Sequence, residues 1–192
     1  SYFLKLKNIK IETTEVDINK GEHFSDYFKA LNPECTLPAL ELDDGTVLTD
    51  TIAICVYLES QHPDKALFGI NATEYAQVIG WAQKLYMNGF LPIAEIFRNQ
   101  GDFFKNRALP GQVDIAQIPE LIERGHIRLD AFWQDMNEYL ADKEYIVGEQ
   151  LTLADIDCYV LCYFATWVKE KIPESCTALL QWQQGVKKQL DC

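Results

Sequence analysis

The chain has 192 residues, 48% of them hydrophobic, and 29 acidic against 17 basic side chains leave a net charge of -12. That length and apolar content suffice for one large domain or two small ones. A surface this acidic argues against nucleic acid or anionic lipid as a partner, since both call for basic patches, and charges interrupt every apolar window, so no segment is suited to crossing a bilayer.

The six cysteines, Cys35, Cys55, Cys158, Cys162, Cys176 and Cys192, show no Cys-x-x-Cys pair and no zinc spacing. The pattern fits reduced thiols in a cytosol better than a disulfide framework. Cys158 and Cys162 share a helical face as small apolar residues. His23, His62 and His126 are scattered along the chain, and no metal is expected.

Taken in order, residues 1–8 carry Tyr2, Leu4 and Leu6 and read either as the start of a strand or as the last turns of a helix ending at Asn8. The alternation over Ile9 to Ile18 predicts a strand, with neither face strongly apolar. After Gly21, residues His23 to Leu31 predict a short amphipathic helix through Phe24, Tyr27, Phe28 and Leu31, closed by Pro33.

Residues 32–60 say most about function. Pro38 cannot donate to a ladder, so it belongs at a strand entry or special turn before Ala39, Leu40 and Leu42. Asp44-Gly45 is a hairpin signal, and Thr46 to Thr49 predict the return strand. Asp50 and Thr51 then offer caps for a helix with Ile52, Ile54, Cys55, Tyr57 and Leu58. A helix start favours a carboxylate, the Asp50 carboxylate suits an ammonium group, and the backbone of Leu37 suits pairing with an extended peptide. Together these groups describe a small peptide-like amino acid as ligand.

Residues 62–71 read as a linker with Leu67 and Phe68 as apolar anchors. Residues 73–99 predict one long helix kinked at Pro92. Residues 101–112 predict a loop, and Ile115 to Leu140 a second long helix whose stripe includes Ile118, Ile127, Leu129, Phe132, Trp133 and Met136. Thr152 and Asp155 have the form of a capping box at the start of a buried helix, and residues 172–190 supply the last helical segments.

The ordered set Asn32-Pro33, Leu37-Pro38-Ala39-Leu40, Asp44-Gly45 and Leu48-Thr49-Asp50-Thr51-Ile52-Ala53-Ile54 resembles the glutathione-binding half of a cytosolic glutathione S-transferase. The Thr152 to Asp155 box and Trp182 resemble that family's helical half. The resemblance implies a thioredoxin-like α/β N-terminal domain over residues 1–67 and an all-α C-terminal helical bundle over residues 72–192. It favours the helix end for residues 1–8, with Asn8 at the left-handed position the family usually gives to glycine. It implies a cis Pro38, a Leu37 backbone paired with the cysteinyl unit of glutathione, and Asp50 and Thr51 holding the γ-glutamyl group; Asp-Thr stands where the family more often has Glu or Gln followed by Ser.

The family's first strand and the Tyr, Ser or Cys that activates the thiol have no counterpart here. Ser1 and Tyr2 fall inside the first helix by position, so the catalytic residue is unassigned and the natural protein is expected to begin some residues earlier. The resemblance further implies conjugation of glutathione, as co-substrate, to small hydrophobic electrophiles in detoxification, a cytoplasmic homodimer, and no metal. Its alternatives are a non-catalytic glutathione or ligand binder and a glutathione-dependent thiol-disulfide reductase. Tyr86, Phe90, Ile93, Phe97, Phe103 and Phe104 are candidate walls for the electrophile, or simply core. Cys35 is either a plain loop residue or a thiol able to form a mixed disulfide with glutathione.

Overall fold

The computed structural model describes residues 1–191; Cys192 lies outside the described residues. The first helix, α1 (Tyr2–Leu6), ends where Asn8 turns left-handed at φ 53° and the Ile9 N–H reaches back to the Leu4 carbonyl at 2.9 Å. Of the two expectations for residues 1–8, the helix is the one observed. Lys7 carries a buried ammonium bonded to Glu59 at 2.8 Å and to the carbonyls of Asp64 and Lys65, each at 3.0 Å. It ties α1 to the far end of the hairpin helix described below.

The strand expected over Ile9 to Ile18 does not form. Residues 9–16 have no regular structure, and among the described residues no backbone hydrogen bond joins residues 10–16 to another segment. Alternation alone cannot make a strand, because a strand exists only against a partner ladder. The helix expected from His23 splits into a 3₁₀ turn (Glu22–Phe24) and α2 (Asp26–Leu31), because Ser25 takes the N-cap and accepts from the Phe28 N–H at 3.2 Å.

β1 (Leu40–Glu41) and β2 (Val47–Leu48) form an antiparallel pair, with Leu40 opposite Leu48 and Glu41 opposite Val47. Gly45 supplies the positive φ of 83° that the turn needs, and Asp44 Oδ1 accepts from the Thr46 N–H at 2.9 Å. α3 (Thr51–Gln61) follows, capped by Asp50. The segment after it is pinned by Phe68, 1% exposed, between Phe3 and Tyr75. The Leu67 carbonyl accepts from the Leu153 N–H at 2.7 Å, which docks this segment on the buried helix.

The helix expected over residues 73–99 is three pieces: α4 (Ala72–Leu85), a π-helical turn (Tyr86–Phe90) and α5 (Leu91–Asn99). Pro92 explains the break. In the wider π register the Leu91 N–H bonds to the Tyr86 carbonyl, so the Met87 carbonyl would face the N–H of residue 92, which proline lacks. Arg128 Nη2 donates to that carbonyl instead. α6 (Glu120–Tyr139) starts five residues later than expected, because Pro119 sits at its N-cap and the segment before it is tied to the end of α5 by Asn99 Oδ1, which accepts from the Ile118 N–H at 2.8 Å. Ile118 and Ile127 are exposed rather than part of the core stripe, whereas Leu129, Phe132, Trp133 and Met136 are buried.

α7 (Leu153–Ala165) runs through the centre of the helical half, and α8 (Thr177–Leu190) packs beside it with Trp182 buried. The capping box at Thr152 and Asp155 is present. Cys158 and Cys162 are buried as small apolar residues, and burial pushes the Cys158 thiol well up. Burial likewise pushes the Cys55 thiol up to about 12. Among the described residues no helix is long and apolar enough to cross a membrane.

Asp157, on α7, gives a pH prediction. Its carboxyl is desolvated and pushed up to about 7 from 3.8, and it has no hydrogen-bond partner among the described residues. Between those two values the folded protein holds a proton that the unfolded chain has released, so stability falls as pH rises through this window. Asp157→Asn should therefore be more stable than the parent at pH 8, by about 2 kcal/mol after allowing for the residue's partial exposure. The gain should shrink toward zero near pH 4.5 in urea unfolding; a gain independent of pH would contradict the assignment.

Candidate functional site

The site begins with a loop that its own side chains shape. Asn32 is 1% exposed; its Nδ2 donates to the Thr36 carbonyl at 2.9 Å and to Thr36 Oγ1 at 3.0 Å, and its Oδ1 accepts from the Glu34 N–H at 3.0 Å. That clamp closes residues 32–36 into a turn in which Cys35 adopts a left-handed φ of 55° and buries its thiol. The Leu37–Pro38 bond that follows is cis. Leu37 is exposed, and neither its N–H nor its carbonyl has a partner among the described residues.

The hairpin brings the second group alongside. Continuing the register of Leu40 opposite Leu48 by two residues sets Pro38 level with Asp50. Asp50 Oδ1 accepts from the N–H groups of Ile52 at 2.8 Å and Ala53 at 3.1 Å. The Ile54 N–H goes to the Asp50 carbonyl. The cap thus fills most of the helix start that the sequence offered to a carboxylate. What remains open is Asp50 Oδ2, an acceptor, and the N–H and hydroxyl of Thr51, none of which has a partner among the described residues. Leu37, Pro38, Asp50 and Thr51 therefore share one exposed edge, with a donor pair and a carboxylate oxygen side by side.

A cavity of about 300 Å³ opens from the other side of the loop, bounded by Cys35, Thr36 and Leu37 and, across from them, by Arg98, Phe103, Phe104 and Arg107. Ile18, His23, Phe24, Leu109, Pro110 and Gly111 complete its lining. Of the six candidate walls, only Phe103 and Phe104 face it. Ile93 is in the core at 4% exposure. Phe90 packs edge-on to Phe164 at 6.0 Å, Phe97 stands behind Phe104 at 5.1 Å, and Tyr86 lies exposed on the π turn. A kinked helix rotates its stripe, so residues on one face before Pro92 do not share a face with those after it.

Burial, and then the charge of Arg107, hold the His23 imidazole below its ordinary value. The same two causes lower Arg98. His23, Arg98 and Arg107 had no functional reading in the sequence, where they sit in a helix start, a helix end and a loop. The available signal was the interleaving of Phe103, Phe104 and Arg107 in the loop. Among the described residues no group of His, Cys, Asp or Glu is arranged to hold a metal ion.

The family model "Glutathione S-transferase, N-terminal domain" matches residues 1–61. The glutathione S-transferase GstA of Escherichia coli O157:H7 is 30% identical over 169 residues, 85% of this chain and 73% of that protein. Glutathione S-transferase 2 of Saccharomyces cerevisiae is 26% identical over 180 residues, 92% of this chain and 74% of that protein. A crystal structure of a glutathione S-transferase domain-containing protein from Marinobacter aquaeolei superposes with a TM-score of 0.85 at 28% identity, covering 96% of this chain and 89% of that one. The chain belongs to the glutathione S-transferase family. Its fold is that architecture, a thioredoxin-like N-terminal domain followed by an all-α domain, with two strands of the sheet present among the described residues.

Proposed function

We propose that the protein is a glutathione transferase that joins the glutathione sulfur to small hydrophobic electrophiles. The observation that carries this reading is the edge shared by Leu37 and Asp50: a backbone N–H and carbonyl without partners, beside a carboxylate oxygen that the helix cap leaves open. Glutathione in extended form would pair its cysteinyl backbone with Leu37, as an added strand does. Its α-ammonium would meet Asp50 Oδ2, and its γ-glutamyl carboxylate the N–H and hydroxyl of Thr51. Pro38 sets the edge by keeping residue 38 from donating.

In the reaction the thiol proton passes to water, the thiolate sulfur attacks an electrophilic carbon, a carbon–sulfur bond forms and the leaving group departs with its electron pair. No residue among 1–191 is assigned to activate the thiol. The proposal includes residues 1–67 as the glutathione-binding domain, residues 72–192 as the helical domain, and a cytoplasmic, detoxifying homodimer without metal, the pairing to be checked by sedimentation.

The test is calorimetric titration of glutathione into the protein and its Asp50→Ala variant, followed by turnover of an activated aryl chloride. Asp50→Ala should weaken binding by about tenfold or more, the loss of one charge-assisted hydrogen bond. Equal binding by both proteins would remove Asp50 from the site. Binding without chloride release across a set of electrophiles would identify a non-catalytic member of the fold.

A further inference from the structure

The loop on the helical side of the cavity divides into a fastened base and a loose tip. At the base, Arg98 Nε donates to the Ala108 carbonyl at 2.9 Å and Nη2 to the Arg107 carbonyl at 3.0 Å. Gln117 Nε2 donates to the carbonyls of Arg98 at 3.1 Å and Gly101 at 2.8 Å. The neck is closed by two backbone bonds of 3.0 Å, from the Ala108 N–H to the Ile115 carbonyl and from the Ile115 N–H to the Asn106 carbonyl. Beyond the neck, residues 109–114 make no backbone hydrogen bond among the described residues. Gly111 has a φ of 112° there, and Leu109 and Val113 stand 57% and 71% exposed. A segment without a ladder and with little buried apolar surface opens at small cost.

One bond holds this tip across the cavity. Gln112 Nε2 donates to the Pro33 carbonyl at 2.6 Å. Among the described residues no other hydrogen bond or ion pair joins residues 9–37 to residues 98–118. The acceptor is held in place, because Pro33 lies inside the turn that the buried Asn32 clamps. The Cys35 thiol shares the same carbonyl at 3.7 Å. Leu109, Pro110 and Gly111 line the cavity from the tip, and Cys35 and Leu37 line it from the facing wall. Cys35 is only 5% exposed, so a reagent meets its sulfur only when the surroundings open.

We propose that residues 109–114 are a flap that gates the cavity and that Gln112 is its latch. A single neutral hydrogen bond contributes a net factor of about two to ten to an equilibrium. That biases the flap toward closure and still lets it release on the timescale of loop motion. The moving part is the tip alone, since the Arg98 fork and the neck bonds fix its base and the Asn32 clamp fixes the facing wall. The gate stands apart from the glutathione reading, because Cys35 reports its opening without any ligand.

The experiment times iodoacetamide alkylation of the folded protein, Gln112→Met and Gln112→Ala, with each modified cysteine identified by peptide mass. Methionine keeps the length of the side chain and removes only its donor. Where the flap recloses faster than the thiol reacts, the rate follows the open population. Both variants should therefore alkylate Cys35 about two- to tenfold faster than the parent, with the buried Cys55 unchanged. A Cys35 rate unmoved in Gln112→Met, or a parallel rise at Cys55, overturns the latch; the second pattern would mean general loosening. Stopped-flow glutathione binding supplies the other arm. A ligand that passes the gate should associate and dissociate faster by the same factor in Gln112→Met, with Kd within twofold, whereas faster dissociation alone would make Gln112 a ligand contact and overturn the gate. Faster Cys35 alkylation with unchanged glutathione rates keeps the gate and sets glutathione outside it. The same alkylation pattern in a protein that binds no glutathione keeps the gate and removes the glutathione reading.

Discussion

Asp155→Ala should lower the unfolding free energy by about 3–5 kcal/mol, the range found when one partner of a buried charged network is removed. The residue is fully buried, and burial raises its carboxyl from the ordinary value against the pull of its donors. Oδ1 accepts from the Ile146 N–H at 2.9 Å and from Trp182 Nε1 at 3.1 Å. Oδ2 accepts from the Thr152 N–H at 2.9 Å and from Thr152 Oγ1 at 3.1 Å. Alanine strands four donors where water does not reach, so the desolvation cost of each adds to the loss of its bond.

Asp155→Asn tests the same network more narrowly. Its single oxygen can serve either pair of donors, and its amide N–H then faces the other pair, donor against donor. It should therefore fall between the parent and alanine in urea unfolding. A loss below about 1 kcal/mol for alanine would mean that the network contributes little beyond local capping. The network matters to function by position. It fixes the start of α7, where the Leu153 N–H holds the Leu67 carbonyl, and so seats the half of the chain that carries Asp50 against the half that carries Arg98.

What the sequence revealed and what it hid divide along the range of the interactions. Asp44-Gly45, Asn8, Asp50 with Ile52 and Ala53, and Thr152 with Asp155 act within a few residues, and each is found where its local chemistry puts it. Pro38 is equally local, since its ring excludes a ladder bond in any fold. Residues 9–18 alternate like a strand, but pairing is a property of a neighbour, and nothing within those residues specifies one. Pro119 could have corrected the start of α6, because proline favours the first turn of a helix over its interior; the apolar spacing of Ile115 and Ile118 concealed it. Lys7 with Glu59, Arg128 with Met87 and Gln112 with Pro33 join positions 41 to 79 residues apart. The cavity is of this second kind: Arg98 and Arg107 acquire meaning only once the loop lies against Cys35 and Leu37.

Gly125→Val should destabilise the protein by at least about 3 kcal/mol, while Gly185→Ala should stabilise it by about 0.5–1 kcal/mol. Both glycines lie inside helices, and helix propensity favours replacing each. At Gly185, on α8, an added Cβ meets nothing within 4 Å, so only the propensity term acts. At Gly125, on α6, an added Cβ would lie 2.6 Å from Ile96 Cγ1 and 2.8 Å from the Pro92 carbonyl oxygen. The carbonyl is backbone and cannot swing away, and Ile96 is fully buried. α5 and α6 must therefore separate, and a β-branched side chain cannot rotate clear in a helix. The separation has a functional readout. α5 ends in Arg98 and Asn99, and the next turns are fastened to it by Gln117, which donates to the Arg98 carbonyl at 3.1 Å, and by Ile118. Gly125→Val should therefore weaken glutathione binding even where the protein remains folded, because Leu37 of the peptide edge also lines the cavity that Arg98 bounds, and Gly185→Ala should leave that binding alone. Urea unfolding and glutathione titration of the two variants measure both effects. Stability lost without any change in binding would mean that the cavity holds its shape independently of the α5–α6 crossing.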